Sequence, residues 1–365
     1  DGDINLTGGT FTVNTAGDFG GATAWDFDSL TIGGAGNAIT TATGAGSITV
    51  NETLTIDTSD TLAAGSKTWI LTDADGCPCT PFVKNGALTV NSSTFRYTGL
   101  AATNITAGGT TYNHLEIKPA GAFTHTAASG ALTVNGNLTI GDTSNAIVFN
   151  LTTSDPTLDV DGNVVIENGA TLIASDTATT TFGGDYTNSG VFTNSGGTIT
   201  FDAADAGNVL NGHMSSDAAP ANSRFYNMIF SGAGSWTITP TTATPLALRV
   251  SGDMTINGGT VNTAYDLTVS GVLSGNGILN HTGQTVNLVG NAGNFSGNSN
   301  WLVNNFTLGL PSGTITLAGS GALTVSGVLD IGATSTLDLA SKVVTFSGSG
   351  TPITVTNGGI FTPSS

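Results

Sequence analysis

Cys77-Pro-Cys79 holds the only two thiols of the chain, and a turn at the proline could bring them together into a small ring. In an oxidising compartment a local Cys77–Cys79 disulfide is the expectation. Free or intermolecularly linked thiols are one alternative. A metal site is another, although two thiolates without nearby histidine supply only half of a zinc tetrahedron. Asp-x-Asp pairs occur at Asp1/Asp3, Asp26/Asp28, Asp73/Asp75 and Asp159/Asp161. Residues i and i+2 of a strand share a face, so each pair could share Ca²⁺ with backbone carbonyls. The tandem Gly-Gly-x-Gly-x-Asp repeat of calcium-binding rolls is absent, since Gly33-Gly-Ala-Gly-Asn37 is followed by Ala38. A solvated acidic face is therefore the plainer reading. Asp73 and Asp75, in a loop, are the best calcium candidates, and no other cofactor is implied.

Paired carboxylates are also the equipment of polysaccharide hydrolases. A lyase acting on acidic sugars needs Lys and Arg to hold the substrate carboxylates, and this chain has only seven of them. No His-Glu-x-x-His, Gly-x-Ser-x-Gly or phosphate-cradling glycine loop occurs. His114, His125, His213 and His281 show no metal-ligand spacing, and each is expected at a polar surface or turn. No catalytic residue is assigned and no enzyme is expected. The test of that expectation is polysaccharide turnover lost on replacing Asp159 or Asp161.

The composition narrows the partners. The formal net charge is −18 and charged residues make up only 9% of the chain, so the surface must be solvated by hydroxyls and amides. Nucleic acid is excluded, because phosphate binding needs clustered cations, and anionic membrane surfaces are disfavoured for the same reason. No apolar run approaches the eighteen residues of a bilayer span, so no membrane insertion is expected. The chain starts at Asp1 without a signal-peptide pattern, which reads as a processed protein or an excerpt. Asn-x-Ser/Thr triplets are no more frequent than this composition yields by chance. Exposed Thr and Ser could carry O-linked sugars. Thr-x-Thr pairs such as Thr237/Thr239 and Thr314/Thr316 are similar to those of ice-binding solenoids, yet threonine favours strands in general.

The elements that must position these residues are strands. With 38% apolar residues alternating with polar ones over many short runs, disorder is not expected. One pattern recurs, anchored at Leu30, Leu115, Ile229 and Phe306. Each anchor leads to a second block of alternating apolar residues: Ile48/Val50/Leu54/Ile56, Leu132/Val134/Leu138/Ile140, Leu248/Val250/Met254/Ile256 and Leu323/Val325/Leu329/Ile331. The anchor-to-valine distance is 20, 19, 21 and 19 residues, although the copies start at irregular intervals. Leu132-Thr-Val-Asn-Gly-Asn-Leu-Thr-Ile is matched 26 residues later by Leu158-Asp-Val-Asp-Gly-Asn-Val-Val-Ile, and a third turn follows from Gly184.

Such a tandem period is the length of one turn of a parallel β-helix, in which no coil can bury its face alone. The inward set at one corner is Leu132 and Val134, then Leu138 and Ile140 after a turn at Asn135-Gly136. Asn-Gly pairs also signal antiparallel hairpins. A three-residue loop pairing Val134 with Leu138 would keep a β-sandwich open as the alternative. The expected fold is all-β: a single-chain parallel β-helix, or β-solenoid, with almost no helix. At about 22 residues and ~4.8 Å per coil it makes roughly 16 coils and a rod of roughly 80 Å. One elongated domain over residues 1–365 is expected, with loop insertions near 72–82 and 203–223.

Residues 112–140 and 303–331 resemble the β-strand repeats of large bacterial surface and secreted proteins, of the adhesin and autotransporter-passenger type. The resemblance covers about four-fifths of the chain and fails at the two insertions. It implies an extracellular or cell-surface location and a role as adhesin, stalk, surface layer or fibre, with glycans as possible partners. It carries no catalytic residue.

Open solenoid ends expose unpaired strand edges over a slice of apolar core, and natural monomers blunt them with a cap. Neither end of this sequence reads as capped. Ile353-Thr-Val-Thr-Asn-Gly-Gly-Ile-Phe361 alternates like an interior coil, and Ile360-Phe361 after Gly358-Gly359 mirrors Thr10-Phe11 after Gly8-Gly9. The partner expected is therefore the chain itself. Head-to-tail polymerisation should join Ile4, Leu6 and Phe11 of one copy to Ile353, Val355, Ile360 and Phe361 of the next, with a glycan-binding segment of a larger adhesin as the alternative.

Overall fold

A computed structural model describes residues 2–34, 38–74, 80–194, 196–214, 223–241, 247–290, 292–356 and 358–363. The chain is an all-β parallel β-solenoid of about 15 turns, with no helix among the described residues. It divides into two compact units, residues 1–179 with 189–191, and residues 180–188 with 192–365.

In the first unit each turn lays down three short strands, one on each of three parallel faces; the first face is one continuous sheet, and the second and third are each built of two sheets in succession. The first face runs from Ile4–Asn5 through Leu138–Ile140 to Val164–Ile166. The second begins with Thr10–Val13 and the third with Gly17–Phe19. The second unit repeats the scheme. Its first face runs from Tyr186–Asn188 to Val344–Phe346, its second from Ala247–Val250 to Ile353–Val355, and its third ends at Ile360–Thr362.

The alternation of the sequence becomes this architecture directly. Leu132 pairs with Leu158 and Val134 with Val160 on the third face, while Leu138 pairs with Val164 and Ile140 with Ile166 on the first. This is the 26-residue match of the sequence, in parallel register. A hairpin at Asn135-Gly136 is thereby excluded. All these side chains are 0–1% exposed, and each contributes about 1.5–3 kcal/mol of apolar burial. Aromatic residues thicken the core in both units, as in Trp69 stacked on Phe95 at 6.0 Å and Phe295 on Phe306 at 4.4 Å.

The recurring sequence pattern encodes a corner, and it serves at all three. In the Leu30 copy, Val50 ends a first-face strand and Leu54 starts a second-face strand; the Phe306 copy turns the same corner at Val325 and Leu329. In the Leu115 copy, Val134 and Leu138 flank the corner from third face to first. In the Ile229 copy, Val250 and Met254 flank that from second to third. What the copies share is a vertical step of one turn: Leu30 pairs with Leu54, Leu115 with Leu138 and Phe306 with Leu329, whereas in the third copy the inward residue is Met228, paired with Met254, and the expected anchor Ile229 points outward opposite Thr255.

Side-chain ladders hold the corners. The residue before the first inward position carries an acceptor that takes the backbone N–H of the turn above. His114 Nδ1 accepts from Asn137 at 2.9 Å, and Asn137 Oδ1 from Asn163 at 3.0 Å. Asn227 Oδ1 accepts from Asp253 at 2.9 Å, Asp253 Oδ1 from Val272 at 2.7 Å, and Asn305 Oδ1 from Val328 at 2.9 Å. Glycine precedes the ladder because the turns touch there. A Cβ on Gly162 would lie 2.5 Å from the Gly136 carbonyl oxygen and 2.8 Å from Asn137 Oδ1.

Two of the seven cations are consumed inside corners. Lys67, 1% exposed, donates from Nζ to the carbonyls of Gly46 at 2.7 Å and Gly21 at 3.1 Å, bracing three successive turns. Lys342, 4% exposed, does the same for Ala318 at 2.6 Å and Gly297 at 2.8 Å. Burial pushes both ammonium groups below their ordinary range. Of the expected insertions, 72–82 follows the strand Thr68–Leu71 and ends on the buried first residue of the strand Phe82–Lys84, whereas 203–223 contains a regular first-face strand, Asn208–Gly212.

Candidate functional site

Of the loop residues singled out by the sequence, Asp75, Cys77 and Cys79 lie outside the described residues. Asp73 is described, and it is not a solvated loop carboxylate. It is 1% exposed, has a φ of 51°, and its Oδ2 lies 3.4 Å from the Thr103 hydroxyl. The reason is its place directly after the strand Thr68–Leu71, at a corner that packs against the following turns. Thr103 in turn donates its N–H to His125 Nδ1 at 3.1 Å.

This Asp73–Thr103–His125 cluster has the residue types of a catalytic relay but not the geometry. The His125 lone pair is occupied by a backbone N–H, so the imidazole proton sits on Nε2, a buried atom without a hydrogen-bond partner among the described residues. A nitrogen in that state cannot accept a proton from a nucleophile. Burial holds the His125 pKa down to about 4. The cluster ties successive turns together.

The expectation that all four histidines occupy surface or turn positions is corrected for two of them. His125 and His281 are fully buried. Each stands in an inward slot: His125 between the outward Thr124 and Thr126, and His281 two residues after the inward Leu279. The strand parity of His125 and His281 is the sequence signal for their burial. His114 is at a corner, as expected of a turn residue.

Of the remaining acidic pairs, Asp1/Asp3 lies partly outside the described residues, Asp1 being one of those left out, and the other two do not converge. Asp159 and Asp161 are both exposed, on either side of the inward Val160. Asp26 and Asp28 are half-buried, and Asp26 accepts from the Asn51 amide. Among the described residues no group of three His, Cys, Asp or Glu side chains could hold a metal ion.

The end strands are more exposed than the strands they pair with. Phe11 pairs with Leu30 in the inward column, yet Phe11 is 37% exposed and Leu30 0%. Leu6, also 37% exposed, follows Ile4–Asn5, a half-buried to exposed edge strand. At the other end Val355 pairs with Ile331 and Ile353 with Leu329. Val355 is 44% exposed, whereas Ile331 and Leu329 are 0% and 1%. Ile360 is 54% exposed, and Phe361, inward over Leu337, is half-buried. Phe11, Ile353, Val355 and Phe361 stand in inward columns, and among the described residues no further strand pairs with theirs; Ile360, expected at the junction, instead pairs with Thr336 in an outward column, so its exposure is that of a surface residue. No protein-family model, curated protein or solved structure matches the chain.

Proposed function

We propose that this solenoid is a structural extracellular protein, a subunit that polymerises head to tail by stacking the last coil of one copy on the first coil of the next. The observation that supports this is the exposure of inward-directed apolar residues on both sets of edge strands, Leu6 and Phe11 on one and Val355 on the other. Both sets follow the same order. Ile4–Asn5, Thr10–Val13 and Gly17–Phe19 open the first, second and third faces, and Val344–Phe346, Ile353–Val355 and Ile360–Thr362 close them.

Stacking in phase sets Phe11 over Ile353 and Val13 over Val355, so three parallel ladders continue across the junction. Each side chain taken from about half exposure to full burial adds roughly 1 kcal/mol, besides the hydrogen bonds of the new ladders. The contact is heterologous and does not close on itself, so it yields an open filament. The weakly charged Thr, Ser and Asn surface and the likeness to bacterial surface repeats support an extracellular setting.

Light scattering and electron microscopy of the purified protein test the reading. Filaments are expected from the wild type and monomers from Val355→Glu, with Ile353→Asp and Phe361→Asp as further variants. Monomers of wild type at all concentrations, or filaments indifferent to Val355→Glu, would refute it.

A further inference from the structure

On the first face of the second unit lies a groove of about 270 Å³, over the strands Ser235–Pro240, Thr260–Thr263 and Ile278–His281. One small residue makes it. The register pairs Ile238 with Thr263 and Thr263 with His281, so Thr239, Ala264 and Thr282 form the next outward column, in which the alanine methyl leaves a gap between two threonines.

The neighbouring outward column, Thr237, Asn262 and Asn280, carries an amide ladder. Asn280 Nδ2 donates to Asn262 Oδ1 at 3.0 Å, and Asn262 Nδ2 donates to the Trp236 carbonyl at 3.4 Å. The rung above Asn280 is Leu302, which ends the ladder and leaves the Asn280 side-chain oxygen without an amide above it. Tyr265, half-exposed, completes the wall. Its backbone is fixed from beneath, because its carbonyl accepts from His281 Nε2 at 2.8 Å and its N–H donates to Thr263 Oγ1 at 3.3 Å.

The lining therefore combines hydroxyls, carboxamides with both donors and acceptors, and one aromatic residue, without a single charge. Small-molecule sites are built from a few placed polar groups beside apolar or aromatic surface, and their volumes start near 300 Å³. A neutral sugar fits this inventory. Its hydroxyls donate and accept, as carboxamides do, and its C–H face suits a tyrosine ring. An acidic sugar would meet no cation here and a net charge of −18 overall. Ice would require a regular lattice of threonines, and the columns read Thr–Asn–Asn–Leu and Thr–Ala–Thr instead.

We propose that this groove binds a neutral carbohydrate, with Tyr265 against the ring face and the Asn262–Asn280 amides on its hydroxyls. The proposal is independent of whether the chains polymerise.

Saturation-transfer NMR on the full chain tests it, with methyl glucoside, methyl galactoside, methyl mannoside and N-acetylglucosamine as probes and glucuronate and sialic acid as charged controls. Transfer to at least one neutral probe is expected, at concentrations up to about 10 mM. Tyr265→Ala should weaken it at least about tenfold. Ala264→Leu, which fills the gap from outside the core, should do the same without altering the melting temperature, and Thr316→Leu on another face should have no effect. Absence of transfer from every neutral probe, preference for an acidic one, or binding unaffected by Ala264→Leu would overturn the proposal.

Discussion

Acid should unfasten the first unit at His125. The imidazole stands in an inward slot of the strand Thr124–Ala127 and pairs in register with Phe149 of the next turn. Its pKa falls from 6.5 to about 4 because burial penalises the charged ring. The sign follows from proton counts. Between pH 6.5 and 4 the unfolded chain binds a proton that the folded chain refuses, so stability rises with pH across that window and is lost on acidification. Over the gap of about 2.5 pH units, at 1.36 kcal/mol per unit, the loss is roughly 3 kcal/mol. Histidine Cε1–H resonances read the titration directly. Urea unfolding of wild type and His125→Phe at pH 6.5 and pH 4 reads the linkage. The phenylalanine leaves the Thr103 N–H without its acceptor, a pH-independent cost of about 1–3 kcal/mol. The stability difference between the two proteins should therefore shift by roughly 3 kcal/mol in favour of the variant at pH 4. An imidazole titrating near 6.5, or a stability difference equal at the two pH values, would refute the reasoning.

Further expectations come from the corners. Gly162→Ala forces a Cβ to within 2.5 Å of a carbonyl oxygen and should cost about 1–3 kcal/mol, whereas Gly8→Ala, with nothing within 4 Å, should leave thermal unfolding unchanged. Asn137→Ala removes one ladder acceptor and should cost about 1 kcal/mol, with faster hydrogen exchange at Asn163 as the local readout. Lys67→Met strips two carbonyls of their donor and should cost about 2 kcal/mol in the first unit, the lost charge-assisted bonds outweighing the relieved desolvation; an unchanged melt would contradict the brace. Intact mass before and after reduction should differ by about two mass units if Cys77 and Cys79 form a disulfide.

Much of the fold was legible because a β-coil writes its inward face in the sequence at period two. Alternation alone places Leu132, Val134, Leu138 and Ile140 inward, and all are fully buried. The phase of the repeats was not legible. The copies at Leu30 and Phe306 turn one corner and those at Leu115 and Ile229 the two others, because a valine followed four residues later by Leu or Met specifies only the chemistry of a corner, and the corners pose the same steric problem. The burial of Asp73, expected in a solvated loop, and of Lys67 and Lys342 was not legible either, because their partners, the Thr103 hydroxyl and backbone carbonyls, lie on other turns, which no sequence pattern displays. The groove beside Tyr265 depends on which residue stacks on Ala264, and that is fixed only by register.

The central claim is that the edge strands of two copies pair in phase, and a cross-link tests it most directly. Thr12 and Thr354 point outward between the inward pairs Phe11/Val13 and Ile353/Val355. In the stacked arrangement they face one another on adjacent strands about 4.8 Å apart, within disulfide reach. Thr12→Cys and Thr354→Cys are made as separate proteins, mixed and oxidised, and the linked peptides are identified by mass spectrometry. A disulfide joining positions 12 and 354, formed only in the mixture and suppressed by Val355→Glu, is the predicted result. Absence of that linkage at concentrations where the wild type forms filaments would contradict the account.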